Sequence, residues 1–261
     1  MQTIIDTTKL TKFKHYPEGL LVQGDCLEVM PLIADKSIDC IIADLPYGMT
    51  ACHWDSVIPL EKLWEQYKRI IKDNGAVVLF GSQPFTSKLV ISNLKWFKCE
   101  WIWNKTKASG FLSVRIRPMK IHESILIFGK NKLRYNPQME YGKPYYKKGS
   151  KNRLTESYGK FNPLWNNSNT GERFPTSIIK FDNCNYNGIG LHPTQKPTSL
   201  IEYLIKTYTD KDDIILDNTF GSGTTCIAAV QTSRRFIGIE KEEKYYDICV
   251  ERLKNVQLSL L

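Results

Sequence analysis

The run Ile38-Asp39-Cys40-Ile41-Ile42-Ala43 constrains this chain most. Short, mostly apolar and rich in β-branched residues, it reads as a buried strand. It leads directly into Asp44-Leu45-Pro46-Tyr47, with Gly48 behind. Pro46 cannot continue a central strand and holds Leu45 extended, so the chain leaves the strand in a stiff turn. In open α/β sheets that carboxyl end is where ligands bind. Asp44, a rigid backbone and the Tyr47 ring together suit a planar ring bearing an amine. An Asp-capped turn with a packed tyrosine is the plainer alternative.

The surrounding pattern alternates. Gly19–Gln23 reads as a strand, residues 27–33 carry helix-like apolar spacing, and residues 60–71 form an amphipathic helix. Asp73-Asn74-Gly75 is a stop and turn signal before a strand at 76–80. This β-α-β-α-β order predicts a parallel sheet with helices on both faces. A helix at 85–93 and strands at 98–103 and 123–128 follow. From about Lys130 to Leu191 periodicity weakens and Asn, Gly, Pro, Tyr and Lys dominate, as in an insertion or small second domain. Order resumes with a proline-opened helix at 197–207, a strand at 213–217, a helix at 226–231, a strand at 235–239 ending at Glu240, and a helix at 245–258.

The charge is uneven. Between Lys105 and Lys160 stand fourteen Lys and Arg against three Glu, a local +11 in a chain of net charge +9. Tyrosines 135, 141, 145, 146 and 158, Phe161 and Trp165 interleave with it. A basic, aromatic segment in an otherwise near-neutral chain predicts a polyanionic partner, and nucleic acid over a merely solvated face. The seven cysteines are scattered without a C-x-x-C pair, which predicts reduced thiols, no structural zinc and a cytoplasmic setting. The N-terminal residues carry no secretory pattern and no apolar run is long enough to span a membrane.

A second constellation sits near the C-terminus. Strand 213–217 runs into Asn218-Thr219-Phe220-Gly221-Ser222-Gly223-Thr224-Thr225 and then a helix. Gly221 and Gly223 let the backbone approach a ligand and expose amides at a helix start. Glu240 closes the next strand, where dinucleotide sites place a carboxylate on ribose hydroxyls. Cys226 replaces the third glycine of a dinucleotide fingerprint, and no G-K-[ST] follows. A nucleoside-containing cofactor is expected.

Together, Asp44-Leu45-Pro46-Tyr47 and the segment Asp217 to Thr225 resemble the two signature motifs of the β-class DNA amino-methyltransferases. These are D-P-P-Y near the N-terminus and D-P-F-x-G-S-G-T-T near the C-terminus. Leu45, Asn218 and Thr219 depart from that pattern. The resemblance implies a circularly permuted Rossmann-like α/β fold, mainly parallel with one antiparallel strand at 123–128. Residues 1–129 would be the catalytic half, 130–191 the target-recognition insertion and 192–261 the cofactor half. It implies S-adenosylmethionine as cofactor, with Asp25 at the adenine and Glu240 at the ribose. Asp217, Phe220, Gly221, Gly223 and Thr224 would form the cofactor loop, and Thr194 and Lys196, in His192-Pro193-Thr194-Gln195-Lys196-Pro197, would close over the methionine end. Asp44, Leu45, Pro46 and Tyr47 would carry catalysis on a flipped base of double-stranded DNA. The initial Asp implies adenine N6 over cytosine N4. The resemblance leaves room for a homodimer and a restriction endonuclease partner.

Other readings differ in what they explain. Methylation of RNA or of a protein glutamine is the main rival, over which the large basic insertion favours DNA. A nicotinamide-dependent oxidoreductase leaves residues 44–47 unexplained, and a decayed DNA-binding module leaves both motifs intact for nothing. His53 and Trp54 line a base pocket or pack the loop, and Trp101, Trp103 and Lys105 border a DNA cleft or fill the core. Glu123 is expected to orient a neighbouring strand rather than to act in catalysis.

Overall fold

The computed structural model describes residues 4–48, 55–146, 168–183 and 195–260. Two compact units emerge, Pro137–Thr176 and the remainder of the chain. In the larger unit the N-terminal half contributes β1 (Lys12–Tyr16), β2 (Gly19–Gln23), α1 (Cys26–Val29), β3 (Ile38–Ala43), α2 (Leu60–Ile70) and β4 (Ile71–Gly81). It continues with α3 (Phe85–Ser92), β5 (Phe97–Ser109) and β6 (Lys120–Phe128). The smaller unit holds β7 (Glu140–Tyr141), β8 (Tyr145–Tyr146), β9 (Ser168–Asn169) and β10 (Glu172–Arg173), paired as β7 with β10 and β8 with β9. The chain then returns to the larger unit with β11 (Ile178–Lys180), α4 (Thr198–Tyr208), β12 (Ile214–Asp217), α5 (Thr224–Gln231), β13 (Arg235–Glu240) and α6 (Glu243–Leu260).

The sheet order is β1-β2-β13-β12-β3-β4-β6-β5-β11. Strands β2, β13, β12, β3 and β4 run parallel, and β6 opposes both β4 and β5, as expected. A second reversed strand, β1, forms a hairpin with β2 at the edge. Its burial is slight, so no apolar periodicity marks it in the sequence. The permutation is visible where β12 lies beside β3, pairing Leu216 with Ile41. Asp39, buried within β3, accepts from the Ile214 amide at 3.0 Å and from Lys72 Nζ at 2.7 Å, tying the two halves together.

Alternate residues of each strand enter different cores, because side chains alternate across a sheet. On one face Ile41, Ala43, Val77, Leu79 and Leu216 meet Leu63, Trp64 and Tyr67 of α2 and Phe85 of α3. On the other, Cys40, Ile42, Val78, Phe80 and Ile215 meet Leu200, Ile201 and Leu204 of α4, Ala228 of α5 and Cys249 of α6. Helices of the N-terminal half therefore cover one face and those of the C-terminal half the other. Burial on both sides is why the central strands read as unbroken apolar runs.

Three boundaries differ from the sequence reading. The turn signal at 73–75 does not precede the strand but lies within β4, where pairing jumps from Ile38–Ile71 to Cys40–Ala76. Strands β5 and β6 extend beyond the predicted 98–103 and 123–128 as an exposed two-stranded arm, whose side chains lack a core to impose periodicity. Within the range expected to be an insertion, Ile178–Lys180 adds a strand beside Ile102–Asn104 of β5, and Asn136 is bonded to the Thr207 carbonyl. Among the described residues no helix is long and apolar enough to cross a membrane, and no cluster of metal-ligating side chains occurs.

Candidate active site

The carboxyl ends of β2, β3, β12 and β13 open on one edge of the sheet around a cavity of about 560 Å³, within the ~300–1,000 Å³ common for small-molecule sites. Asp25, Asp44–Tyr47, Asp217–Ser222, Thr224 and Glu240 all line it. Parallel strands place these segments together although Asp44 and Asp217 are far apart in sequence.

At the end of β3, Tyr47 OH donates to Asp44 Oδ1 at 2.6 Å and Lys196 Nζ donates to Asp44 Oδ2. Burial raises the Asp44 pKa despite the opposing pull of Lys196. Phe85 stacks on the Tyr47 ring with centroids 4.9 Å apart and planes 28° from parallel. The Leu45 side chain is buried in the core. Its departure from proline therefore serves packing, and only its main chain is left for chemistry in the cavity.

Lys196 stands just before α4, 8% exposed, with Nζ 3.5 Å from Glu123 Oε2 and 5.0 Å from the Phe80 ring centre. Glu123 in turn pairs with Lys105. Burial works against the Glu123 charge, but Lys196 and Lys105 outweigh it and hold the carboxyl below its ordinary pKa. Lys196 likewise loses to burial but gains more from Asp44 and Glu123, and its pKa is raised. Lys105 and Glu123 thus join the site from the facing strands β5 and β6. No local sequence pattern marks this; the hairpin register, which pairs Trp103 with Glu123, brings them together.

The second half of the cavity is the β12–α5 turn. Gly221 and Gly223 have φ of 53° and 82°, a left-handed backbone that glycine adopts without strain. Glu240 accepts from the Gly221 amide at 2.8 Å, from the Glu242 amide at 2.8 Å and from the Lys241 amide. Burial raises its pKa. Burial also lifts Asp217 to about 7, although the Thr225 side chain and the Thr219 amide bond to it. Asp25 caps α1 through the Leu27 amide at 2.9 Å and lies 3.2 Å from Lys241 Nζ. Phe220 is both cavity wall and core, packed toward Tyr246 with centroids 6.5 Å apart.

The motif departures at 218 and 219 have partners of their own. Buried Asn218 accepts from Tyr67 OH of α2 at 2.5 Å. Thr219 Oγ1 donates to the Asp44 carbonyl at 3.2 Å, linking the two cavity loops directly. Of the other residues singled out in the sequence, Trp103 lines the cavity while Trp101 is core, its indole donating to Tyr208 OH at 2.8 Å. Thr194, His53 and Trp54 lie outside the described residues.

Residues 38–251 match the family model of the N6/N4 DNA methylases. The chain belongs to that family. This methylase is 28% identical to the Type II methyltransferase M.HinfI of Haemophilus influenzae over 91% of its own length and 68% of that protein's. The solved M1.HpyAVI–SAM complex is 26% identical, with a TM-score of 0.60 over 89% of this chain and 98% of that one. The PvuII DNA methyltransferase, cytosine-N4-specific, shares the fold at 17% identity, with a TM-score of 0.63 over 92% of this chain and 91% of that one.

The methylase uses S-adenosylmethionine, and its cavity fits that group. Seven carboxylates, Asp25, Asp44, Asp55, Glu123, Asp217, Glu240 and Glu242, line one space against three lysines, and burial raises the pKa of Asp44, Asp217 and Glu240. Such a site favours a cationic ligand, which restores a counter-charge to buried acids. The Glu240 carboxylate suits a ribose hydroxyl as acceptor, and the glycine turn puts the Gly221 backbone on the cavity wall.

Proposed function

We propose that this DNA methylase modifies the N6 amine of adenine in a specific duplex sequence, with the target base flipped into the cavity. The observation that carries the reading is the Asp44 carboxylate, half-buried and lining the cavity, each oxygen holding one protein donor and one spare lone pair. An exocyclic amine shares its lone pair with the ring and is a poor nucleophile. Hydrogen bonds accepted by Asp44 and by the Leu45 carbonyl draw that lone pair out of conjugation and toward the methyl group.

S-adenosylmethionine supplies an electrophilic methyl group on a sulfonium. The N–C bond forms as the C–S bond breaks, and one proton leaves the nitrogen. The burial that raises the Asp44 pKa suits it to receive that proton. Lys196 keeps Asp44 charged before the step, and Glu123 and Lys105 hold Lys196 in place. Phe85 covers one face of Tyr47, so a flipped base stacks on the other, a contact worth ~1–3 kcal/mol. A base in the duplex stack is out of reach, which is why flipping belongs to the reading. Asp25, Glu240 and the 217–224 turn, with Thr194 and Lys196 at its methionine end, hold the cofactor. The basic, aromatic stretch from 130 to 191 reads the target. Similarity to Type II methyltransferases supports a place in restriction–modification.

Purified protein incubated with S-adenosylmethionine and unmethylated genomic DNA, followed by nucleoside mass spectrometry, tests the base. N6-methyladenine is expected, and N4-methylcytosine refutes the assignment. Asp44→Ala should abolish transfer while cofactor affinity survives. A near wild-type rate would remove Asp44 from catalysis.

A further inference from the structure

The β5–β6 arm ends in a turn whose composition the catalytic reading does not use. Phe111, Leu112 and Ile116 are 74%, 99% and 88% exposed. Arg115 and Arg117 alternate with them, also exposed. Large apolar side chains this open on a folded surface mark a contact site. The turn is ordered by its own backbone: the Ser113 amide donates to the Gly110 carbonyl at 3.0 Å, and the Ile116 and Arg117 amides to the Ser113 carbonyl at 2.9 and 3.0 Å. At its base Ser109 Oγ donates to the Lys120 carbonyl at 3.2 Å.

Its position matters as much as its chemistry. Trp103, Lys105 and Glu123 line the catalytic cavity, and the strands that carry them continue into this turn. Because β5 runs in the same direction as β3, its carboxyl end, and so the turn, projects from the sheet edge that holds the active site.

We propose that residues 111–117 are a DNA wedge: Phe111, Leu112 and Ile116 enter the base stack beside the target and fill the gap left by the flipped base, while Arg115 and Arg117 bind the flanking phosphates. Apolar side chains inserted at base steps unstack and kink a duplex, and the arginines supply the charge complementarity that a polyanion demands. A second copy docked turn against turn would bring these arginines against their own kind. The wedge rests on the base-flipping reading above but is indifferent to whether the base is adenine or cytosine.

The test uses the full chain with Phe111→Ser, Leu112→Ser and Ile116→Ser combined, at exposed positions where folding is retained, checked by circular dichroism and cofactor titration. The substrates are a duplex carrying the methylated sequence found by sequencing, and the same duplex with the target base mispaired. Wild type should prefer the mispaired duplex. The triple variant should lose at least tenfold in kcat/KM on the paired duplex but stay within about threefold of wild type on the mispaired one, with cofactor affinity unchanged. Equal losses on both substrates, or no loss on either, would overturn the wedge. So would sedimentation showing a wild-type dimer that the triple variant dissolves, since the turn would then be a subunit interface. A wild type indifferent to mispairing refutes flipping itself, and the wedge with it.

Discussion

Gly223→Ala should cripple the cofactor half of the site through two separable effects. Gly223 caps α5 with φ of 82°, and an L-residue held in the left-handed region costs ~1–2 kcal/mol. A Cβ built there would lie 2.1 Å from Cys249 Sγ and 2.8 Å from Cys249 Cβ. Cys249 is fully buried on α6, so α5 and α6 must separate. Overpacking of this kind costs ~1–3 kcal/mol, giving a total of roughly 2–5 kcal/mol. The same displacement pulls Arg252 of α6 from the Ser222 carbonyl, which it reaches at 2.5 Å, and disturbs the turn that lines the cavity. Urea unfolding and calorimetric titration with S-adenosylmethionine measure the two consequences, with cofactor affinity expected to fall at least about tenfold, roughly 1.4 kcal/mol. Adding Cys249→Ala removes the sulfur at 2.1 Å but keeps the Cβ at 2.8 Å, so the double variant should recover part of the packing cost and keep the dihedral part. A Gly223→Ala protein within about 0.5 kcal/mol of wild type, with unchanged cofactor affinity, would refute the argument.

Two further outcomes follow from the buried charges. Asp217 is lifted from 3.8 to about 7, so its protonated form stabilises the cofactor-free fold below the ordinary value, and that contribution is lost as pH rises toward 7. Asp217→Asn should remove up to ~4 kcal/mol of this pH dependence, and cofactor affinity, which should strengthen from pH 6 to 8 in wild type, should flatten. Unfolding midpoints and titrations across that range check it; identical pH profiles would contradict it. Lys196→Met leaves Asp44 and Glu123 without their shared cation, so Asp44 binds its proton more tightly and the acidic limb of the kcat profile moves to higher pH. An unmoved profile would show that Lys196 has no electrostatic role.

The central strands and both signature turns were legible because their physical causes are local. A β-branched run buried on both faces has no polar positions to interrupt it, and Pro46, Gly221 and Gly223 dictate backbone geometry wherever they stand. The β1 edge strand and the long β5–β6 arm escaped because exposed residues carry no burial pattern. Glu123 escaped for another reason. Nothing in the sequence near it shows that Lys105 and Lys196 surround it.

The sequence by itself therefore determined an α/β chain with a carboxylate turn, a glycine turn and a basic segment, since propensity, backbone restriction and net charge belong to short stretches. Only the tertiary structure decided that Lys196 sits on Asp44 across 152 residues, that Thr219 bonds to the Asp44 carbonyl, and that Asn218 is held by Tyr67. Those contacts exist because β12 lies beside β3, and strand order is set by how two sets of helices cover one sheet.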